Sequence, residues 1–523
     1  MPRSPTFLFH SIVLCATLGT ALPAYTQEAT VQIDMAAVEE AWKRGDFIFA
    51  RQGLAELAET LGTPLAQYRY GRILVEGRGG AADITQGIKW LQKSVDQNHA
   101  EAATLLARVL LSIPAPNRDP ERSATLFSNA AARGNAEAQY YLGLFYKTGQ
   151  GGIAQDEIAA FNWFLAGSEG GNKEAQFELA RAYSQGSGTT QNNTESLRWL
   201  TESANNGQTD AEYSLAAAYD TGAGVGQSDA EAAEWFHRAA ESGHILSQRD
   251  LGTKYLQGNS ALKPDAAKAL RWLEAAAKAG DPGAMYNLAV SYAAGTTLPK
   301  DDTKAFSFFQ NASDRKLPRA TLALAGMVEA GRGTTASLEK AIPLYELAGQ
   351  QGSSKAALRL AALTISGALD DVATPYQATP WVMTAVRAGD ENAISWMLAQ
   401  AQEGVRPAQA AFGQWLLGQT GQAEEGITLM KQAALSGHVP SQFRLGEAYT
   451  TGDGANLDYV QAHAWLNIAA ASGHEKARDT RGILNDLMTA DQIAQAQRIT
   501  RTFFEDAAKL VPNTSQTVTR VSE

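Results

Sequence analysis

The chain has 523 residues, which is enough for several globular domains or for one long array of repeats. Its 45% hydrophobic and 8% aromatic content supports an ordered core, and its formal net charge of -11 argues against binding to phosphate backbones. Beyond the N-terminus no apolar run reaches the roughly 18 residues that a membrane-spanning helix needs, so the sequence predicts no internal span.

Residues 1–26 have the order of a secretory signal peptide. Arg3 supplies a positive charge, an apolar stretch from Phe7 to Leu18 follows, and small residues come next. We expect cleavage between Ala21 and Thr26, which places the protein in the periplasm or outside the cell. The alternative is an uncleaved anchor.

The single cysteine, Cys15, lies inside this predicted signal. After cleavage the chain would hold no thiol, which excludes disulfides, zinc–thiolate sites and cysteine nucleophiles.

One pattern then recurs through most of the chain. An aromatic residue or leucine precedes an ending that resembles Ala-Ala-x-x-Gly. The column is Trp90, Leu126, Trp163, Trp199, Trp235, Trp272, Phe308, Leu344, Trp381, Leu429 and Trp465. Every step along it is 36 or 37 residues, except for one step of 48. Such a fixed period is typical of a repeat architecture. We interpret its tryptophans as core residues between stacked helices rather than as a carbohydrate platform.

A second column lies about 20 residues before the first. Ala138, Leu142, Gly143 and Tyr146 are matched in later copies by Ala-x-x-x-Leu-Ala-x-x-Tyr, as from Ala175 onward. Offsets of four, five and eight residues place these side chains on one helical stripe. Glycine-rich turns separate the two columns, and a further glycine ends each unit. Each unit is therefore predicted to be helix A, turn, helix B, turn.

These units set the expected domain organisation. Residues 31–61 predict an N-terminal capping helix pair, 62–389 hold repeats one to nine, and 405–473 hold repeats ten and eleven. The long step predicts one extra helix within 390–404, which either divides the array into two segments or is a harmless insertion. Residues 474–510 predict C-terminal capping helices, and 511–523 a disordered tail. The predicted fold is all-α: a right-handed α-solenoid of about eleven helix-turn-helix repeats with atypical capping helices.

The two columns with their Gly-x-Gly turn resemble the Sel-1-like repeat family, which is related to the tetratricopeptide repeats. The resemblance covers residues 62–473 and extends to exported bacterial members, whose ends are similar to the stretch from Ala464 to His474. It implies an adaptor that binds proteins or peptides, in envelope signalling, exopolysaccharide control or cell-wall assembly. The alternatives are a peptidoglycan- or glycan-binding envelope protein, or a hydrolase with an unrecognised site.

A search for chemistry predicts no catalytic residue, cofactor or metal. The glycine-rich turns lack the Lys-Ser/Thr of a phosphate loop. Ser-x-x-Lys spacings, as at Ser260 and Lys263, have no partner motif. The histidines lack metal-ligand spacing, and four of them follow helix B at equivalent points of different repeats. These four are His99, His244, His438 and His474.

Partner binding is therefore expected along helix A, where side chains beside the buried stripe face a groove. The candidate residues are Tyr140, Tyr141, Phe177, Glu178, Tyr213, Arg249, Tyr286 and Asn287. The partner is expected to be a protein or peptide, with peptidoglycan as an alternative.

Overall fold

The computed structural model describes residues 34–509, and within them it holds 27 α-helices and no strand. The predicted all-α class is confirmed. The predicted signal peptide at 1–26 and the predicted tail at 511–523 lie outside the described residues.

Eleven consecutive helix pairs form the array. The first helices of these pairs, the A helices, are α3 (Pro64–Glu76), α5 (Ala100–Ser112), α7 (Ala136–Thr148), α9 (Lys173–Gln185), α11 (Thr209–Thr221), α13 (Ile245–Gln257), α15 (Pro282–Ala294), α17 (Pro318–Ala330), α19 (Ser354–Ile365), α22 (Arg406–Leu417) and α24 (Val439–Thr451). The second helices, the B helices, are α4 (Ile84–Asp96), α6 (Pro120–Ala131), α8 (Glu157–Glu169), α10 (Asn193–Asn205), α12 (Asp229–Glu241), α14 (Ala266–Lys278), α16 (Asp302–Asp314), α18 (Leu338–Gln350), α20 (Pro375–Arg387), α23 (Ala423–Leu435) and α25 (Tyr459–Ala471).

Five helices lie outside this pairing. They are α1 (Met35–Arg44) and α2 (Phe47–Thr60) at the N-terminal end, α21 (Glu391–Gln402) between repeats nine and ten, and α26 (Glu475–Asn485) and α27 (Ala490–Lys509) at the C-terminal end. The extra helix therefore occurs where the 48-residue step placed it.

The chain divides into two compact units, Met1–Leu215 and Ala216–Glu523. The division falls within α11 and not at residues 390–404, where the sequence suggested a break. Around that insertion the packing is continuous, because α21 contacts α19, α20 and α22. The insertion therefore lies within the second compact unit.

A recurring set of polar contacts closes the turn from helix A to helix B. A glycine with positive φ ends many of the A helices, as Gly149 does at φ 67°. The residue before helix B then donates its backbone N–H to the tyrosine carbonyl of helix A, as Asp156 does to Tyr146 at 2.9 Å. The same side chain caps helix B. At α12 the cap residue is Ser228, and Asp229 is the first residue of the helix.

A second set of recurring polar contacts closes the turn from helix B to the next helix A. The glycines predicted to end helix B all have positive φ, from 76° at Gly207 to 98° at Gly280 and Gly352. One residue later, the side chain of an Asn, Asp, Gln or His accepts the backbone N–H of the residue three positions on, except at Ser353, which forms no such bond. The four recurring histidines do this through Nδ1, at 3.2–3.3 Å. They are helix caps, which requires a neutral ring with Nδ1 free to accept.

A recurring glutamine, not recognised from the sequence, joins the two helices across this second turn. It follows the first stripe residue of helix A and donates Nε2 to a carbonyl near the end of the preceding helix. The pairs are Gln139 with Ala131, Gln176 with Ser168, Gln248 with Ala240, Gln409 with Ala401 and Gln442 with Ala434, at 3.1–3.3 Å. Each of these carbonyls also accepts the backbone N–H of the glycine after the helix, so the glutamine adds a second hydrogen bond at the helix end.

Close approach within each pair depends on the small residue of helix A. A Cβ atom built on Gly252 would lie 2.7 Å from Leu273 Cγ and 3.0 Å from its backbone nitrogen. In α22, a Cβ on Gly413 would lie 2.9 Å from the carbonyl oxygen of Gly426. In these two pairs helices A and B therefore pack closer than an alanine would allow without a shift of the backbone, whereas other pairs hold an alanine there, as at Ala180.

Candidate functional site

The tryptophan column lies where adjacent repeats meet. Five of its seven tryptophans are buried, namely Trp199, Trp235, Trp272, Trp381 and Trp465. Trp90 and Trp163 are half-buried. Basic side chains cover several of the rings: Lys93 Nζ lies 3.6 Å from the Trp90 ring centre and the Arg271 guanidinium 4.3 Å from that of Trp272. Such covered rings offer little free face for stacking on a sugar.

The eight predicted partner-binding residues all lie on A helices and are all half-buried. Tyr140, Tyr141, Phe177, Glu178 and Tyr213 belong to the first unit, and Arg249, Tyr286 and Asn287 to the second. Each unit therefore has its own set, and most of these side chains already contact a neighbouring helix.

Two tyrosines dominate the set in the first unit. The Tyr141 ring stacks on Phe127 at 4.7 Å between centres, and the Tyr140 ring lies 5.1 Å from that of Tyr141. Burial, and then the charge of Glu178, raises the pKa of Tyr140 to about 12. Its hydroxyl therefore stays protonated at neutral pH. A half-buried phenol of this kind offers an apolar ring and a hydrogen-bond donor together.

Glu178 joins the two A helices of this region. Its carboxylate contacts Lys147 Nζ on α7 at 2.5 Å and Arg181 on its own helix at 3.0 Å. The Arg181 guanidinium lies 6.0 Å from the ring centre of Phe177. Tyr213, farther along on α11, also interacts within the chain. We call Tyr140, Tyr141, Lys147, Phe177, Glu178 and Arg181 the helix-A patch.

In the second unit the predicted residues also bridge neighbouring A helices. Arg249 contacts Asp281 at 3.7 Å, and Asn287 Nδ2 donates to Thr253 Oγ1 at 2.8 Å. The Tyr286 ring lies 4.4 Å beneath the Arg319 guanidinium. The sequence predicted that such side chains project into a groove. The structure shows that they lie partly between the helices, where each contacts a neighbouring A helix or its cap.

The charged residues on the same seams were missed by sequence reasoning. Arg108 pairs with Glu137 at 2.9 Å, and Arg359 on α19 pairs with Glu329 on α17. Glu329 also accepts the Tyr345 hydroxyl at 2.6 Å, and the Arg359 hydrogen bond lowers the pKa of this carboxyl. A search for opposite charges about 30 residues apart, slightly less than one repeat, would have found these pairs.

The second unit also holds a groove around the extra helix, lined by α20, α22 and α24, with a volume of about 350 Å³. Its floor contains Met383 and Met430, both buried. Arg387 and Arg444 are its charged lining residues, beside Gln414. We call it the α20–α22–α24 groove. Sequence reasoning missed it because it depends on packing between non-consecutive helices.

Within residues 34–509 no group of three His, Cys, Asp or Glu side chains could hold a metal ion. Over the same residues, no helix is both long enough and apolar enough to cross a membrane.

Comparison with known proteins identifies the repeat. The Sel1 repeat model matches nine segments that together make up more than half of the chain: 64–99, 100–135, 136–172, 173–208, 209–244, 245–281, 282–317, 318–353 and 439–474. Each matched segment holds one A helix and the B helix after it.

A solved structure shows the same fold over most of the chain. It is a protective antigen of uropathogenic Escherichia coli strains that displays an SLR fold, 24% identical, with a TM-score of 0.56. The match covers 90% of this chain and 99% of that one.

Curated relatives match over shorter stretches. The mouse (Mus musculus) protein DAP3-binding cell death enhancer 1 is 33% identical over 157 residues, which are 30% of either chain. The exopolysaccharide production negative regulator of Rhizobium meliloti is 34% identical over 67 residues, 13% of this chain and 25% of that protein. The matches thus span about a third or less of these relatives. On the nine matched repeats, this chain belongs to the Sel1 repeat family, whose members bind protein partners and are generally non-catalytic.

Proposed function

We propose that this Sel1 repeat protein is an exported adaptor that binds a partner protein or peptide along its A helices. The observation that carries the proposal is the helix-A patch of the first unit, where half-buried aromatic rings lie beside paired charges. Partner-binding hot spots commonly combine such aromatic and arginine side chains. The signal-like sequence of residues 1–26 supports export to the periplasm or beyond.

The setting is proposed to be the cell envelope, in signalling, exopolysaccharide control or cell-wall assembly. One matched relative is by its name a negative regulator of exopolysaccharide production. Another, from Arabidopsis thaliana, is by its name a component of an E3 ubiquitin-protein ligase, and its match spans 9% of that protein. The first name supports a regulatory setting, and the second supports a role as one component of a larger assembly.

A site-specific photo-crosslinker tests the binding surface directly. Gln185 is exposed and lines the same shallow cleft as Lys147, Glu178 and Arg181. A crosslinker at Gln185 in the full chain, in cells of the source organism, should capture a defined protein. The matched control is Asn162, an exposed position on the B helix α8, where capture should be weak.

Two results would count against this proposal. Equal capture at Gln185 and Asn162 would show that the A-helix surface has no special role. Failure to capture any protein, together with retention of the purified chain on isolated cell-wall sacculi, would favour the peptidoglycan-binding alternative.

A further inference from the structure

The extra helix α21 changes which helices lie side by side in the second unit. Among the regular repeats, the packing between alternate helices joins A helices to A helices, as between α13 and α15. Around the insertion, α19 still packs on α21, so α21 continues the row of A helices. However, α20 packs directly on α22. The B helix of repeat nine and the A helix of repeat ten therefore lie in one row.

The grooves of this region show the same arrangement. One groove of about 600 Å³ is lined by α18, α20 and the start of α19. The α20–α22–α24 groove lies next to it, and Pro380 lines both. One row thus runs through α18, α20, α22 and α24. Because a single unpaired helix has been inserted, the later A helices continue the row that the earlier B helices began.

The side chains of α22 leave space in this row. The buried stripe of helix A begins at Ala138 in α7 and at Ala284 in α15. The residues two and three positions later are Tyr140 and Tyr141 in α7, and Tyr286 and Asn287 in α15. In α22 the same two positions hold Ala410 and Ala411, which line the groove. Small side chains at positions filled elsewhere by aromatic rings leave an open, apolar groove over the two methionines of its floor.

The charges of the groove are positive. Arg387 is exposed at the end of α20 and makes no ion pair with any described residue. Arg444 is held at 3.2 Å by both Glu447 and Asp453, yet its Nε is buried without a hydrogen-bond partner. Because Glu447 and Asp453 balance the charge of Arg444, Arg387 is the uncompensated positive charge of the groove, and in a chain with a net charge of -11 it favours an acidic ligand.

We propose that the α20–α22–α24 groove binds an acidic, apolar segment of a partner protein. A carboxylate of that segment pairs with Arg387, while its apolar side chains cover Ala410 and Ala411. The inference rests on the proposed function, since it specifies where a protein partner binds and what chemistry the partner offers.

The test uses the full chain with a photo-crosslinker at Gln414, an exposed lining residue of the groove. The captured segment is mapped by mass spectrometry, then synthesised with a fluorophore and titrated with the purified protein. We expect a mapped segment rich in Asp or Glu beside apolar residues. Arg387→Glu should weaken its binding at least about tenfold, because two charged groups then repel each other.

The matched control is Lys340→Glu, which makes the same charge change at an exposed residue of the same unit, away from both grooves. It should alter binding less than about twofold, since exposed charges beyond a Debye length are screened. Circular dichroism spectra of both variants must match that of the parent protein.

The outcomes separate this inference from the broader proposal. Capture at Gln185 without capture at Gln414 would overturn the groove and leave the adaptor function standing. Capture at neither position would overturn both. A mapped segment that is basic, or that comes from a second copy of this chain, would overturn the groove inference, as would equal weakening by Arg387→Glu and Lys340→Glu.

Discussion

Two stretches of the second unit use the same repeat and differ in what they leave exposed. From α13 to α18, helices alternate regularly, and seam side chains such as Arg249 and Asn287 reach the next A helix. From α20 to α24, one unpaired helix intervenes and the equivalent positions of α22 hold two alanines. The first stretch has filled seams, whereas the second has an open groove.

The difference shows how a repeat array makes a local site without a new fold. Each repeat contacts only its neighbours, so an unpaired helix disturbs the packing over a short distance. The inner contacts of α22 stay those of an A helix: Gly413 approaches helix B, and Gln409 caps the preceding helix. Only the row in which this helix lies has changed.

The largest expected effect is a loss of stability when a tryptophan of the regular repeats is replaced, compared with replacement of a tryptophan on the inserted helix. Trp272 is 4% exposed between regular repeats, whereas Trp396 on α21 is half-buried. Trp272→Ala should lower the free energy of unfolding by about 3–5 kcal/mol, through lost burial and a cavity. Trp396→Ala should cost no more than about 2 kcal/mol. Urea unfolding followed by circular dichroism measures both losses. Equal losses would contradict the claim that the tryptophan of the regular repeats contributes more to stability.

The glycine contacts test whether α22 still packs as an A helix. Gly252→Leu and Gly413→Leu should each cost about 1–3 kcal/mol, because the added side chain meets the facing backbone. Gly226→Leu is the control, since a Cβ there meets nothing within 4 Å. The measurement is the shift in the urea midpoint. A tolerated Gly413→Leu beside a damaging Gly252→Leu would show that the two helices pack differently.

For the glutamines that cap a preceding helix, we expect the opposite order from the tryptophans. Substitution should cost more stability at the insertion than in the regular repeats. Gln409 is buried and donates to both Ala401 and Gln432, whereas Gln248 is half-buried and donates to Ala240. Gln409→Ala should cost about 1–3 kcal/mol, because it removes two hydrogen bonds of a buried side chain, and Gln248→Ala about 1 kcal/mol, because it removes one bond of a half-buried side chain. Thermal unfolding compares them, and a larger loss for Gln248→Ala would contradict this ranking.

The smallest expected effect is a pH dependence near the groove. Burial, and then the charge of Arg406, lowers the pKa of His438 below its ordinary 6.5. The unfolded chain therefore takes up this proton at a higher pH than the folded chain does. The contribution is fully present above pH 6.5 and is lost as the pH falls through the folded-state pKa. Protonation of Nδ1 removes the acceptor for Ser441 N–H.

The matched variant for this effect is His438→Asn, which keeps a capping acceptor but does not titrate. Between pH 7.5 and 5.5 it should lose less stability than the parent chain, by at most about 1 kcal/mol, a typical capping contribution. Thermal midpoints at the two pH values give the comparison. Parallel losses in both proteins would assign the pH dependence to other groups.

The sequence predicted what repeats and missed what depends on packing between distant helices. A tryptophan, phenylalanine or leucine every 36 or 37 residues predicted the helix pairs, and the 48-residue step located α21 within Glu391–Gln402. The change of row could not be predicted in the same way, because no local pattern records which helices become neighbours. The inter-repeat ion pairs are an intermediate case. Their spacing of about 30 residues is visible in the sequence, but only once the helix offsets are known.

The change of row is tested most directly by chemical bridging of paired cysteines in a background without Cys15. Gln414 and Ala362 occupy equivalent positions on the A helices α22 and α19, whereas Arg387 ends the B helix α20. A short bismaleimide should bridge Arg387→Cys with Gln414→Cys and leave Ala362→Cys with Gln414→Cys unbridged. Efficient bridging of the second pair and not the first would show that the A helices keep one row through the insertion, and would contradict the account.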